Sequence, residues 1–370
     1  MNATSNKRLL ALDVMRGITI AGMILVNTPG TWGYVYAPLQ HAQWNGLTPA
    51  DLIFPFFMFI MGISTYISLR KYNFTFSLPA AGKIIKRTAV IFLIGLLINW
   101  FSQFCYTDEP VAFSQLRILG VMQRLALAYG ASALIALLLK HKYIPYLIIV
   151  LLAGYFVILF TGNGFEYSET SILAIIDRSI LGESHLYPGY IDPEGLLSTL
   201  PSIAHVLIGF CVGKLLMEVK DIQEKLQRLF IIGTILTFAG FLLSYGCPLN
   251  KKIWSPTFVL VTCGLGSSLL ALLVWIIDMK GYRKWAHFFE SFGVNPLFIY
   301  VLADVLAILF SIIPVTYKGE VVSLQSAFYA GVLQPVFGNT GGSLAYSVLF
   351  VLLNWAVGYI LYKKKIYIKI

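Results

Sequence analysis

Apolar runs of roughly 20 residues, the length that crosses a bilayer as a helix, recur along the whole chain. Short clusters of Lys, Arg, Gly, Pro and Asn separate them. Runs near 9–30, 50–69, 84–103, 117–139, 143–162, 197–217, 229–246, 254–278, 287–313 and 343–362 predict ten spanning helices. They lack the short alternating pattern of lipid-facing strands, so a β-barrel is not expected. Helices satisfy their own backbone hydrogen bonds, which lipid cannot do for them. The segment 321–337, VVSLQSAFYAGVLQPVF, is apolar but short, and reads as a re-entrant or interfacial helix. If it spanned instead, the count would be eleven and the C-terminus would change sides. With no linker, low-complexity tract or strong repeat, residues 1–370 are expected to form a single all-α integral membrane domain.

Composition agrees: 58% of residues are hydrophobic, 12% are charged and the mean hydropathy is +0.78. Soluble proteins carry about twice that share of charge. Charge then sets orientation. With a cytoplasmic N-terminus, the inside segments hold Lys7, Arg8, Arg70, Lys71, Lys83, Lys86, Arg87, Lys140, Lys142, Lys214, Lys220, Lys225, Arg228, Lys280, Arg283, Lys284, Lys363, Lys364, Lys365 and Lys369. The outside loops hold only Arg178, Lys251, Lys252 and Lys318. This asymmetry favours ten spans with both termini cytoplasmic in a cell membrane, and no cleavable signal peptide is expected. The net charge of +10 is therefore mostly topological and does not argue for a nucleic-acid partner.

Four cysteines say little. Cys211 and Cys263 read as small buried hydrophobes, while Cys105 and Cys247 fall at outside helix ends, where pairing stays open. No Cys/His spacing suggests a metal. The loop 163–196 is acidic, with Glu166, Glu169, Asp177, Glu183, Asp192 and Glu194 against Arg178. That would suit an amino-bearing substrate, or simply solvation.

Ionisable groups inside the membrane are costly and point to function. Asp13 and Arg16 in 12-LDVMRG-17 share a helix face near the cytoplasmic end, as a donor-site pair or an interfacial ion pair. Arg117 and Arg124 in 117-RILGVMQR-124, read as helical, lie two turns apart on one face. They suit phosphate recognition, or pairing with a buried carboxylate such as Asp13 or Asp304. Polar groups also gather at outside helix ends: Asn27, the stretch 40-QHAQWNGLTPADLIFP-55, Asp192 and Glu194 in 192-DPEGLLSTLPS-202, and Asn250 and Trp254 in 250-NKKIWSP-256. Asn295 adds a polar group within the ninth span. Helix capping explains Thr48 and Pro49 but not His41, Trp44 or Asn45. His141, His185, His205 and His287 read as structural. His41, in dense polar and aromatic company at a membrane boundary, is the candidate general base.

These segments resemble the heparan-α-glucosaminide N-acetyltransferase family, including its bacterial members. The likeness rests on D-x-x-R-G opening the first helix, Asn27 at its far end, then H-A-x-W-N-G-L-T-x-A-D-L-x-F-P and F-I-M-G. Later agreement comes at G-V-x-Q-R-L (120–125), D-P-E-G-L-L-x-T (192–199) and N-K-x-x-W-S (250–255). Eukaryotic members carry an additional N-terminal luminal domain that is not expected here. The resemblance implies transfer of acetyl from cytosolic acetyl-CoA to the amine of a glucosamine-containing sugar on the far side, without a metal. It also implies a homodimer, with His41 at the family's catalytic position. Asp51 or Asn27 is then a candidate to fix the tautomer and orientation of His41, and Asn27 or Asn45 to hold the developing oxyanion. Asp13, Arg16, Arg117 and Arg124 would serve the donor. Trp44, Asn45, Asp192, Glu194, Asn250, Trp254 and Asn295 would serve the acceptor. Direct transfer and an acetyl-histidine intermediate both remain open, as do an O-acyltransferase of envelope glycans and an amino-sugar transporter.

Overall fold

The computed structural model describes residues 9–107 and 113–368. Lys7, Arg8 and Lys369, counted above among the inside charges, lie outside these. Thirteen helices form among the described residues. The helices α1 (Leu10–Asn27), α2 (Pro49–Leu69), α3 (Leu78–Tyr106), α4 (Val121–Leu138) and α5 (Ile144–Thr161) precede a loop that carries α6 (Ile172–Leu181). After it come α7 (Thr199–Glu218), α8 (Ile222–Leu243), α9 (Pro256–Leu273), α10 (Ala286–Val294) and α11 (Pro296–Ile312). A hairpin of β1 (Pro314–Tyr317) and β2 (Glu320–Ser323) leads to α12 (Leu324–Phe328) and α13 (Gln334–Lys363). Nine helices among the described residues are long and apolar enough to cross a membrane, and the count is ten if the pair α10–α11, bent by 86°, is one broken span. The chain is thus an all-α multi-pass membrane protein.

Local chemistry sets many of the helix starts. Ser77, Asp221 and Ser255 cap α3, α8 and α9 with side-chain oxygens, and proline stands in the first turn of α2, α3, α5, α9 and α11. The fourth span begins later than its apolar run. Gly120 is extended, so α4 opens at Val121 and Arg117 precedes the helix. The ninth span breaks at Asn295, because the proline that follows disfavours helical backbone there. The apolar segment 321–337 does not extend the last span straight. Gly338 has φ 70°, and the chain folds back there so that Leu333 and Gln334 lie against Gly342.

The centre of the bundle is α2 against α7. Gly62 and Gly209 let the backbones touch, since a Cβ on either would collide with a carbonyl oxygen, of Val206 or Phe59. By contrast α3, α5 and α8 turn apolar side chains such as Leu97, Val150 and Phe238 outward. Such faces suit lipid. A separate small core of Tyr155, Leu159, Leu173, Ala174, Ile191 and Ile253 seats the 163–198 loop over one end of the bundle. All four cysteines are free, and Cys247 is buried beside Thr257.

Candidate active site

The loop before α2 brings His41 back onto the start of that helix. His41 Nδ1 lies 2.8 Å from Asp51 Oδ1. The other carboxylate oxygen of Asp51 accepts the Ala42 N–H, the Thr48 N–H and the Thr48 hydroxyl. Asp51 is therefore both the acidic member of a capping box and the partner of His41. So many donors fix it as an acceptor. His41 then carries its proton on Nδ1, and Nε2 is left with a lone pair. The Asp51 side chain is 1% exposed and that of His41 43%, so a buried anchor holds a reachable base.

This pair opens into a cavity of about 290 Å³, which also touches Asn27, Tyr187, Glu194, Lys251, Trp254 and Tyr300. Among the described residues no hydrogen bond is formed by the Asn27 side chain, and Asn27 is exposed. Lys251 Nζ stands 3.4 Å from Asp51 Oδ1 and 3.1 Å from His41 Nδ1. Burial lowers the Lys251 pKa, and Asp51 opposes that shift. Trp254 is buried with φ 53°, an uncommon conformation for a bulky residue, and packs on Phe54, Phe258 and Arg124.

Several predicted residues sit at this end without facing the cavity. Trp44 donates its indole N–H to the Phe165 carbonyl and packs on Tyr167, which ties down the 163–198 loop. Asn45 accepts from the Asn250 amide, and buried Asn250 holds the 250–255 turn through the Ile253 N–H. Asp192 is buried and pairs with Arg117 at 2.8 Å. Much of the acidity of the 163–196 loop is thus spent internally. Of its carboxylates, Glu194 lines the cavity.

The arginine pair departs from expectation. Arg117 is not helical, so the two-turn register with Arg124 does not exist. Arg117 binds Asp192 and Glu194 at 2.8 and 2.7 Å and lies over the Tyr187 ring. Burial works against its charge, but these two carboxylates prevail and raise its pKa. Arg124 is fully buried, bonds the Gly195 carbonyl and the Ser198 hydroxyl, and stacks on Trp254. Both arginines secure the 190–198 loop at the His41 end, and neither lines the cavity that holds Arg16. Asn295 departs the other way. Its amide joins the C-terminal tail, donating to the Ile366 carbonyl and accepting the Ile368 N–H, both at 2.8 Å. It belongs to the Arg16 end. His205 and His185 bind the carbonyls of Pro55 and Leu116, as structural histidines do.

At that opposite end lies a second cavity, of about 420 Å³. Arg16, Lys71, Lys83 and Arg87 line it, with Ser64, Tyr129 and Ile368. Arg16 is held by Asp13 at 3.0 Å, Ser64 at 2.8 Å and the Gly293 carbonyl at 3.1 Å. Among the described residues, Lys71, Lys83 and Arg87 have no carboxylate partner. Lys71 and Arg87 lie over the rings of Tyr72 and Tyr129, and Arg87 Nε is buried without a hydrogen bond. Sequence reasoning did not single out these three cations as donor-site residues, although Lys83 and Arg87, four residues apart, share one face of α3. Lys251, Tyr187 and Tyr300 were also missed.

The two cavities nearly meet. On α2, Phe54 borders the first and Phe57 the second; on α4, Val121 and Leu125; on α11, Tyr300 and Leu297. About one helical turn, roughly 5 Å, separates them on each of these three helices. The arrangement offers a polyanion site at one end, a histidine base at the other, and a thin apolar partition between.

Comparison with known proteins bears on this geometry. A family model described as "Heparan-alpha-glucosaminide N-acetyltransferase, catalytic" matches residues 8–246. Two proteins of that name are similar to the chain. The one from Mus musculus is 27% identical over 431 residues, covering 99% of this chain and 61% of that protein. The one from Homo sapiens is 29% identical over 360 residues, covering 80% and 52%. The chain thus spans about half to three fifths of the length of these relatives.

Proposed function

The chain belongs to the heparan-α-glucosaminide N-acetyltransferase family, and from that premise we propose that it moves acetyl from acetyl-CoA to the amine of a glucosamine-containing sugar across the membrane. The observation that carries this reading is the pair of cavities one helical turn apart. Lys71, Lys83 and Arg87, which have no carboxylate partner among the described residues, fit the phosphates of acetyl-CoA, and Arg16 lines the same cavity. Its slender acetyl-bearing arm would run between Phe57, Leu125 and Leu297 toward His41. The excess of Lys and Arg supports a reading in which this end faces the cytoplasm and His41 the outside of a cytoplasmic membrane.

The acceptor enters the His41 cavity, where Glu194 meets its ammonium group and Trp254 walls the site. His41 Nε2 takes a proton from the amine, and Asp51 steadies the imidazolium that forms. The amine nitrogen bonds to the thioester carbonyl carbon, the Asn27 amide donates to the developing oxyanion, the C–S bond breaks, and the nitrogen's remaining surplus proton leaves with the sulfur as CoA thiol. The test is purified protein with acetyl-CoA and glucosamine, following free thiol and N-acetylglucosamine together. The wild type should form both in equal amounts, and His41→Ala should lose roughly 10²–10⁴-fold in rate. Full activity in His41→Ala would refute the mechanism, and sugar uptake without thiol release would point to a transporter.

A further inference from the structure

We propose that Lys251 is a positioning residue of the His41 site: its ammonium lies over the imidazole, shares the Asp51 carboxylate and opposes protonation of the ring. The proposal deepens the reading of His41 as a base and rests on it. Lys251 Nζ is 3.1 Å from His41 Nδ1 and 3.4 Å from Nε2. An in-plane position that close to both ring nitrogens would collide with ring atoms, so the ammonium sits above the ring face. There it cannot take either in-plane lone pair, and Nε2 stays open to the cavity. The same ammonium is 3.4 Å from Asp51 Oδ1, the oxygen that also receives His41. One carboxylate therefore serves two potential cations. If both were charged they would stand within about 3 Å of each other, where like charge disfavours the second.

Lys251 is held in this place by a built turn. Asn250 accepts the Ile253 N–H through its side chain and the Ser255 N–H through its backbone, and Trp254 closes on the Lys251 carbonyl. The turn is tied to the His41 loop by Gly46 N–H to the Leu249 carbonyl and by the Asn250–Asn45 bond. The strained Trp254 backbone belongs to the same turn. The other titratable groups around the cavity are Tyr187 and Glu194 from the loop before α7, Lys252 beside Lys251, and Tyr300 of α11. Glu194 is engaged by Arg117 and Lys252 lies over the Tyr167 ring, so Lys251 is the cation against His41. The Lys251 ammonium thus offsets part of the attraction that Asp51 exerts on a charged ring.

The test reads His41 without relying on turnover. Its carbethoxylation by diethylpyrocarbonate, which requires the neutral ring, is followed by site-resolved mass spectrometry against pH. Wild type and Lys251→Arg should share one midpoint, and Lys251→Gln should move it up by about one pH unit. The acid limb of the acetyl-transfer profile should move with it, a loss of up to about tenfold on that limb. A midpoint in Lys251→Gln equal to the wild type would overturn the proposal. If Lys251→Gln does not fold, Lys251→Met carries the same reading, and a wild-type midpoint there has the same meaning. Transfer that persists in His41→Ala would instead refute the base itself, independently of the labelling midpoint.

Discussion

At the His41 end the charges come in sets: His41 and Lys251 with Asp51, and Arg117 with Asp192 and Glu194. At the Arg16 end, among the described residues, Lys71, Lys83 and Arg87 stand in a cavity without carboxylates, two of them over tyrosine rings. The difference separates a preorganised centre from a receptor. In the proposed reading, groups that act on a small acceptor are already oriented by one another, and cations left without a carboxylate in a cavity would take an anion supplied from outside. Neither end explains the molecule alone, since on α2, α4 and α11 the residues that border the two cavities, Phe54 and Phe57, Val121 and Leu125, and Tyr300 and Leu297, are about one turn apart.

Variants at the two ends should fail differently. The largest effect is expected from Asp51→Asn. It removes the acceptor that sets the His41 tautomer and should lower kcat roughly 10²–10⁴-fold, with the KM for acetyl-CoA little changed. Steady-state kinetics checks this, and a rise confined to KM would erase the contrast. The double change Lys83→Ala and Arg87→Ala should do the reverse. It should raise the KM for acetyl-CoA roughly tenfold or more and leave the pH profile in place, since charge-assisted bonds to phosphate are lost. Unaltered acetyl-CoA affinity by titration would remove the proposed donor site.

A third prediction concerns the loop over the His41 end. Asp177 is buried on α6, and its pKa is raised to about 6 from the usual 3.8. Burial is the main cause, nearby Asp192 adds to it, and the Leu196 N–H acts against it. A folded carboxyl with a raised pKa holds its proton while the unfolded one has released it, so stability falls as pH rises from about 4 to 6. Asp177→Asn should therefore stabilise the protein above pH 6 by about 1–3 kcal/mol, and the gain should vanish near pH 4. Melting curves at pH 8 and pH 4 test it, and an equal effect at both would contradict it. The smallest effect is expected from Asn295→Ala. Losing two hydrogen bonds to the C-terminal tail should cost about 1–2 kcal/mol and speed proteolysis of that tail, without touching His41 chemistry.

The spans were legible because length and hydropathy alone decide them. His41 stood out because no helix start needs it. The pairing of His41 with Asp51 was suspected because both lie in one short stretch. What escaped depends on contacts between distant segments. Lys251 meets His41 across 210 positions. The arginines were misplaced because an apolar run cannot reveal that the backbone stays extended to Gly120, and two turns of assumed helix put Arg117 on the wrong face. Asn295 was assigned to the acceptor although the Asn-Pro pair already marked a helix break. The break turned it toward residues 366–368 at the other end. Trp44 was expected to serve the acceptor, but it gives its indole N–H to the Phe165 carbonyl and does not line the cavity.

The central claim is that donor and acceptor approach from opposite faces and meet at the partition. Proteoliposomes with all molecules in one orientation test it directly. Acetyl-CoA is confined to the side of Lys71, Lys83 and Arg87, and glucosamine to the side of His41. The expected result is N-acetylglucosamine on the His41 side with free CoA appearing only on the other, and no product when the compartments are exchanged. Product formed only when both substrates share one side would contradict it.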